Sequence, residues 1–167
     1  MKPINESVQH VLEEMGVDGL ASKINAISQS NNLPKITQRA GNFYRTEDPK
    51  IIVKVSQNAD QWALLDAPPN AVAKVHHIED IQTGKGNPTT VTFQSVVDDN
   101  PWNRFDDPTR LVNALDELPY GVDDYLESIP QAANLLAAIQ SDKLPSSDLT
   151  SGNIGMDDDG NLVAFDI

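Results

Sequence analysis

The sequence predicts an α+β fold, and three observations lead there. Helical spacing opens the chain, short β-forming runs punctuated by turn residues fill its middle, and helical spacing returns after Asp98-Asp99-Asn100-Pro101. The expected organisation is a helical appendage over residues 1–34, a small antiparallel sheet with one helix over 35–97, and a helical part with a polar, loop-rich tail over 98–167. At 167 residues, with 39% hydrophobic and 22% charged side chains, the chain has the length and composition to bury a core without disulfides.

Each element has a local reason. Val8, Val11, Leu12 and Met15 share one face of a helix over 5–15, which Gly16 stops. Leu20, Ile24 and Ile27 mark a second helix, closed by the turn formers of 28–34. Residues 36–46 hold β-formers interrupted by Ala40-Gly41-Asn42, and the turn at 47–50 leads into the apolar run 51–55. Asn58 suits the N-cap of a short helix through Trp62, Leu64 and Leu65, which Pro68-Pro69 ends. Residues 71–78 and 89–97 read as two further strands; the loop between them carries Gly84-Lys85-Gly86, which lacks the flanks of a P-loop. Asp107-Pro108 sets an N-cap before a proline at the first helical position, opening a helix through Leu111, Leu115 and Leu118. Another helical pattern, over 123–141, is kinked or restarted at Pro130. Finally, Ile154–Met156 and residues 162–165 flank Asp157-Asp158-Asp159-Gly160-Asn161, a hairpin turn.

Composition narrows the function classes. Without cysteine there is no disulfide framework, thiol nucleophile or zinc–thiolate site. No window nears 18 consecutive apolar residues, and the N-terminus lacks a secretory signal pattern, so no membrane association and a cytoplasmic location are expected. Charge is distributed unevenly. Residues 1–95 carry 9 basic and 10 acidic side chains, whereas 96–167 carry 3 basic and 15 acidic, within a total of −13. So acidic a chain lacks the basic face that gripping a nucleic-acid backbone needs. It suits a basic protein partner instead, through Asp98, Asp99, Asp106, Asp107, Asp116, Glu117, Asp123, Asp124 and Glu127. Pairs of acids recurring along helices are what imitation of nucleic-acid phosphates would require, and a solvated acidic surface is the plainer reading.

The tail concentrates the chemistry. Asp148, Asn153 and Asp166 are oxygen-bearing side chains at the mouth of a loop and the end of a strand, a donor set that suits magnesium with substrate phosphates completing its shell. An aspartate beside such a metal can orient an attacking hydroxyl. The Asp157–Asp159 run is no EF-hand, because it lacks the loop's sixth-position glycine. His76 and His77 adjoin in an expected strand and so point to opposite faces. Trp102 beside Pro101 and Phe105 reads as a core anchor or an exposed contact. Taken alone, Lys54 reads as an edge-strand lysine with its head in water.

D-x-x-x-x-N from Asp148 to Asn153, followed thirteen residues later by Asp166, resembles the catalytic loop and metal-binding aspartate of the protein-kinase-like fold. Gly152-Asn153 and the DDDGN hairpin are similar to aminoglycoside phosphotransferases and phage-encoded kinases. The resemblance spans about residues 36–167, and it implies a small sheet lobe plus a helical lobe cut short just past the metal aspartate. It further implies ATP and Mg2+ as ligands, Asp148 as the catalytic aspartate, and Asn153 and Asp166 as metal ligands. By the same resemblance Lys54, in Ile51-Ile52-Val53-Lys54, holds nucleotide phosphates, and Gly41 belongs to a reduced glycine-rich loop, Ala40-Gly41-Asn42-Phe43. The sequence departs from the family at Ser146 and Ser147, where histidine and arginine are expected, and carries no glutamate in the short helix after Lys54. The function implied is minimal phosphoryl transfer, or a pseudokinase that keeps nucleotide binding. The alternative from charge is a phage-type acidic inhibitor, acting in a host cytoplasm on a basic nucleic-acid-binding protein.

Overall fold

The computed structural model describes residues 17–57, 59–82, 88–144 and 149–166. The helix expected over 5–15, His10, Asn58, the loop residues Gly84 to Asn87, and Ser146 to Asp148 lie outside the described residues. The chain forms two compact units, Met1–Gln61 with Val75–Ser95, and Trp62–Lys74 with Val96–Ile167. Among the described residues the fold is α+β, with a five-stranded antiparallel sheet and four α-helices. None of those helices is long and apolar enough to cross a membrane.

The first unit is helix α1 (Val17–Ser30) on a sheet of β1 (Ile36–Ala40), β2 (Phe43–Thr46), β3 (Ile51–Ser56), β4 (Val75–Gln82) and β5 (Pro88–Ser95). The strand order is β1-β2-β3-β5-β4, every pair antiparallel. Period-2 alternation in β3 and β5 gives the sheet two different faces. Val53, Val91 and Phe93, with Tyr44, form an apolar face that buries Leu20, Ile24 and Ile27 of α1. The second expected helix is therefore the cover of the sheet's own core; Asn25 Oδ1 also accepts from Ile36 N at 3.1 Å, tying it to β1. The opposite face carries Lys54, Thr90, Thr92 and Gln94, all buried.

Two local expectations shift. The strand expected over 71–78 starts at Val75, because Ala71 and Ala73 exchange backbone hydrogen bonds with Ala164 (2.9 and 2.8 Å) and are unavailable to the sheet. The register slips between Val75 and His77, so strict alternation fails there. His76 Nε2 meets Ser95 Oγ at 2.9 Å while the His77 ring stands edge-on to Phe93 at 6.4 Å, and these two partners lie on one face of β5.

The second unit holds α2 (Pro108–Asp116), α3 (Asp124–Ser128), α4 (Ala133–Gln140) and a hairpin of β6 (Ile154–Met156) and β7 (Leu162–Ala164). Asp107 caps α2 as expected, accepting from Arg110 N at 3.1 Å with Pro108 behind it. Pro130 opens a separate 3-10 turn, Pro130–Ala132, that leads into α4. The helix expected after Asn58 is 3-10 over Ala59–Asp66. Leu111, Leu115, Leu126, Leu135, Leu149, Ile154 and Leu162 are fully buried in one core, and Trp102 packs half-buried against it.

Candidate functional site

The hairpin is held on both edges. Asp98 exchanges two backbone hydrogen bonds with Met156 of β6 (2.9 and 2.8 Å), and Ala71 and Ala73 do the same with Ala164 of β7. Its turn is closed by Asp157, whose Oδ1 accepts from Asp159 N (2.9 Å) and Asn161 N (2.8 Å), with Gly160 at φ +83°. The acids of the DDDGN run thus build a turn.

At the other, open end of the hairpin stand Asn153 and Asp166. A 3-10 turn, Ser151–Asn153, delivers Asn153 to β6, and Phe165 N donates to Asn153 O at 2.9 Å, adding a rung beyond β7. Asn153 is thereby the cross-strand partner of Phe165, one residue before Asp166, and both Asn153 and Asp166 are half-buried. Ahead of them the loop is anchored twice. Leu149 is fully buried, and Asp116 Oδ1 at the end of α2 accepts from Ser151 N (2.9 Å) and Ser151 Oγ (2.7 Å). The Asn153 side-chain amide oxygen and the Asp166 carboxylate are hard donors, the chemistry that fits magnesium. Among the described residues no three His, Asp or Glu side chains converge as a metal-holding group.

Lys54 and Gly41 belong to the first unit. β3 lies between β2 and β5, so Lys54 is on a central strand and only 6% exposed, which removes the edge-strand reading. Lys54 pairs with Phe43 on one side and Thr92 on the other. Gly41, at φ +64°, makes the tight turn from β1 to β2, and a side chain there would meet nothing within 4 Å.

Sequence reasoning missed Asp116 as the strut of the Ser151 loop; nothing local signals a contact so distant in the chain. It also missed the polar stripe Thr90, Thr92 and Gln94 alongside Lys54. Their period-2 spacing against Val91 and Phe93 carried that signal.

Several of the acids expected to meet a partner already have structural duties. Asp98 Oδ2 binds Arg104 at 2.7 Å, Asp107 caps α2, and Asp116 holds Ser151. Asp99, Asp106, Glu117, Asp124 and Glu127 stand exposed. Asp123 accepts from Tyr125 N at 2.7 Å, starting α3, and from Arg110 at 3.0 Å. The backbone donor first, then Arg110, hold its carboxyl below the ordinary value of 3.8. A depressed folded-state pKa gives stability that is present above the ordinary value and lost as pH falls through the lowered one. Asp123→Asn is accordingly expected to lower stability slightly at neutral pH, to leave it unchanged at the foot of the acid limb and so to flatten that limb in a pH-dependent unfolding series, with a smaller effect in high salt.

The chain matches no protein-family model and no curated protein sequence.

Proposed function

We propose that this protein is a minimal, kinase-like binder of magnesium-nucleotide, built to move a phosphoryl group from ATP to a hydroxyl acceptor. The observation that carries the reading is the rung from Phe165 N to Asn153 O, which brings the backbone of Asn153 to within one residue of Asp166 at the mouth of a hairpin. Support also comes from the order of elements, from a lysine buried on a central strand, and from a loop pinned by Asp116 immediately before Asn153. In this reading Asn153 and Asp166 would hold magnesium, which when bound would draw charge from phosphate oxygens. Within the first unit Lys54 would hold nucleotide phosphates and Gly41 would let the β1–β2 turn approach them; Asp148 would take the acceptor hydroxyl's proton. The acceptor oxygen bonds to the γ-phosphorus as the bond to the bridging oxygen of ADP breaks.

Calorimetric titration of ATP with and without magnesium tests this. The expected result is magnesium-dependent binding that falls at least about tenfold in Asp166→Asn and in Lys54→Met. Unchanged magnesium-dependent binding in Asp166→Asn sinks the assignment.

A second reading, an acidic surface for a basic protein partner, is favoured by Tyr120. Its side chain is 93% exposed and borders a hollow of about 220 Å³ with Glu117, Gly121, Val122 and Asp123. An aromatic ring among carboxylates suits an arginine or lysine side chain. Capture of a basic protein that Tyr120→Ala weakens and DNA displaces supports it; no capture at low salt removes it.

A further inference from the structure

We infer that Thr92 is a second ligand-binding residue beside Lys54, its hydroxyl holding an oxygen of a phosphoryl group; this rests on reading Lys54 as a phosphate-holding lysine. Thr92 is register partner to Lys54 across β3 and β5, so the two side chains leave the sheet on the same face, their Cβ atoms about 5 Å apart. Thr92 is 0% exposed, and among the described residues its Oγ1 has no hydrogen-bond partner. Buried hydroxyls are normally paired, because stripping one of water without replacement is unfavourable. Its neighbour on the same stripe, Thr90, is satisfied by Asp80 at 2.7 Å, so the orphan is specific to the position beside the lysine. On the other side Thr92 faces Ile78, which offers no polar atom in its side chain. A buried lysine whose register partner carries an uncommitted hydroxyl makes a cationic, donor-rich stripe, and a phosphoryl oxygen accepts from both kinds of donor.

The same observation sets the test. Thr92→Val keeps the shape and deletes the orphan, so the ligand-free protein should melt a few degrees higher while binding weakens. Thr92→Ser restores the hydroxyl. The probes are MgATP and magnesium tripolyphosphate, titrated into the full chain and each variant, with Lys54→Met alongside. Roughly tenfold or greater loss of affinity for both probes in Thr92→Val, regained in Thr92→Ser, is the expected result. Thr92→Val binding both as tightly as the parent overturns the inference, as it must if a buried water is the hydroxyl's partner; loss in Lys54→Met then leaves the nucleotide reading intact. Tripolyphosphate binding that needs Thr92 and Lys54, without any binding of ATP, upholds the role of Thr92 as an oxyanion ligand and overturns the nucleotide reading. A parent that binds neither probe overturns both.

Discussion

Phe93→Ala is expected to cost about 3–5 kcal/mol of folding stability. Phe93 is fully buried in the middle of β5, opposite Val53, with the His77 ring against its edge and α1 lying over it. Truncation removes transfer free energy and leaves a hole that flanking strands cannot close, because both neighbours are fixed by their ladders. Against a total of roughly 5–15 kcal/mol for a domain, that is a large share. Urea unfolding followed by far-ultraviolet circular dichroism reads it. Phe93→Leu, keeping most of the volume, should lose under about 1.5 kcal/mol. A loss below 1 kcal/mol in Phe93→Ala contradicts the packing described here.

The second large effect belongs to the hairpin. A Cβ on Gly155 would lie 2.6 Å from Asp98 O and 2.7 Å from Val97 Cγ2. The valine methyl can turn away, but Asp98 is held to Met156 by two backbone hydrogen bonds and cannot retreat without breaking them. Gly155→Ala should therefore lose about 1–3 kcal/mol, overriding the few tenths normally gained from stiffening the unfolded chain. Gly152→Ala is the control three residues earlier, since its nearest neighbour would be Thr150 Oγ1 at an ordinary 3.7 Å. Trp62 and Trp102 both belong to the second unit, so their fluorescence follows its melting directly. If magnesium binds at Asn153 and Asp166, Gly155→Ala should also weaken it at temperatures where the protein is still folded, because the same hairpin carries both residues.

Short-range chemistry made part of this architecture readable. Asp107-Pro108 announces α2, the DDDGN run announces the β6–β7 turn, and the apolar triplet Leu20, Ile24 and Ile27 announces α1, because caps, turns and helical periodicity are decided within a few residues. That Asn153 and Asp166 fall at the open end of the β6–β7 hairpin was legible for the same reason, its length being set locally. What stayed hidden depends on distant partners. Residues 71–73 have the character of a strand, yet they pair with Ala164, so the sheet strand begins later. Lys54 looked like an edge lysine because nothing near it says that β5 will form its other neighbour. Asp116 looked like one more surface acid until Ser151 came back to it.

The clamped hairpin also sets an order of events during synthesis. The first unit's sheet is complete once Ser95 has emerged, so it can fold while the chain is still being made. Val72 has no such freedom, because its bridge partner Ala164 follows roughly 5–20 s later at ordinary elongation rates. During that interval the second unit's core residues are made but its closing strands are not. Its acidic character, with 15 carboxylates against 3 basic groups over residues 96–167, then repels like chains and keeps the waiting segment dispersed until the last strand arrives.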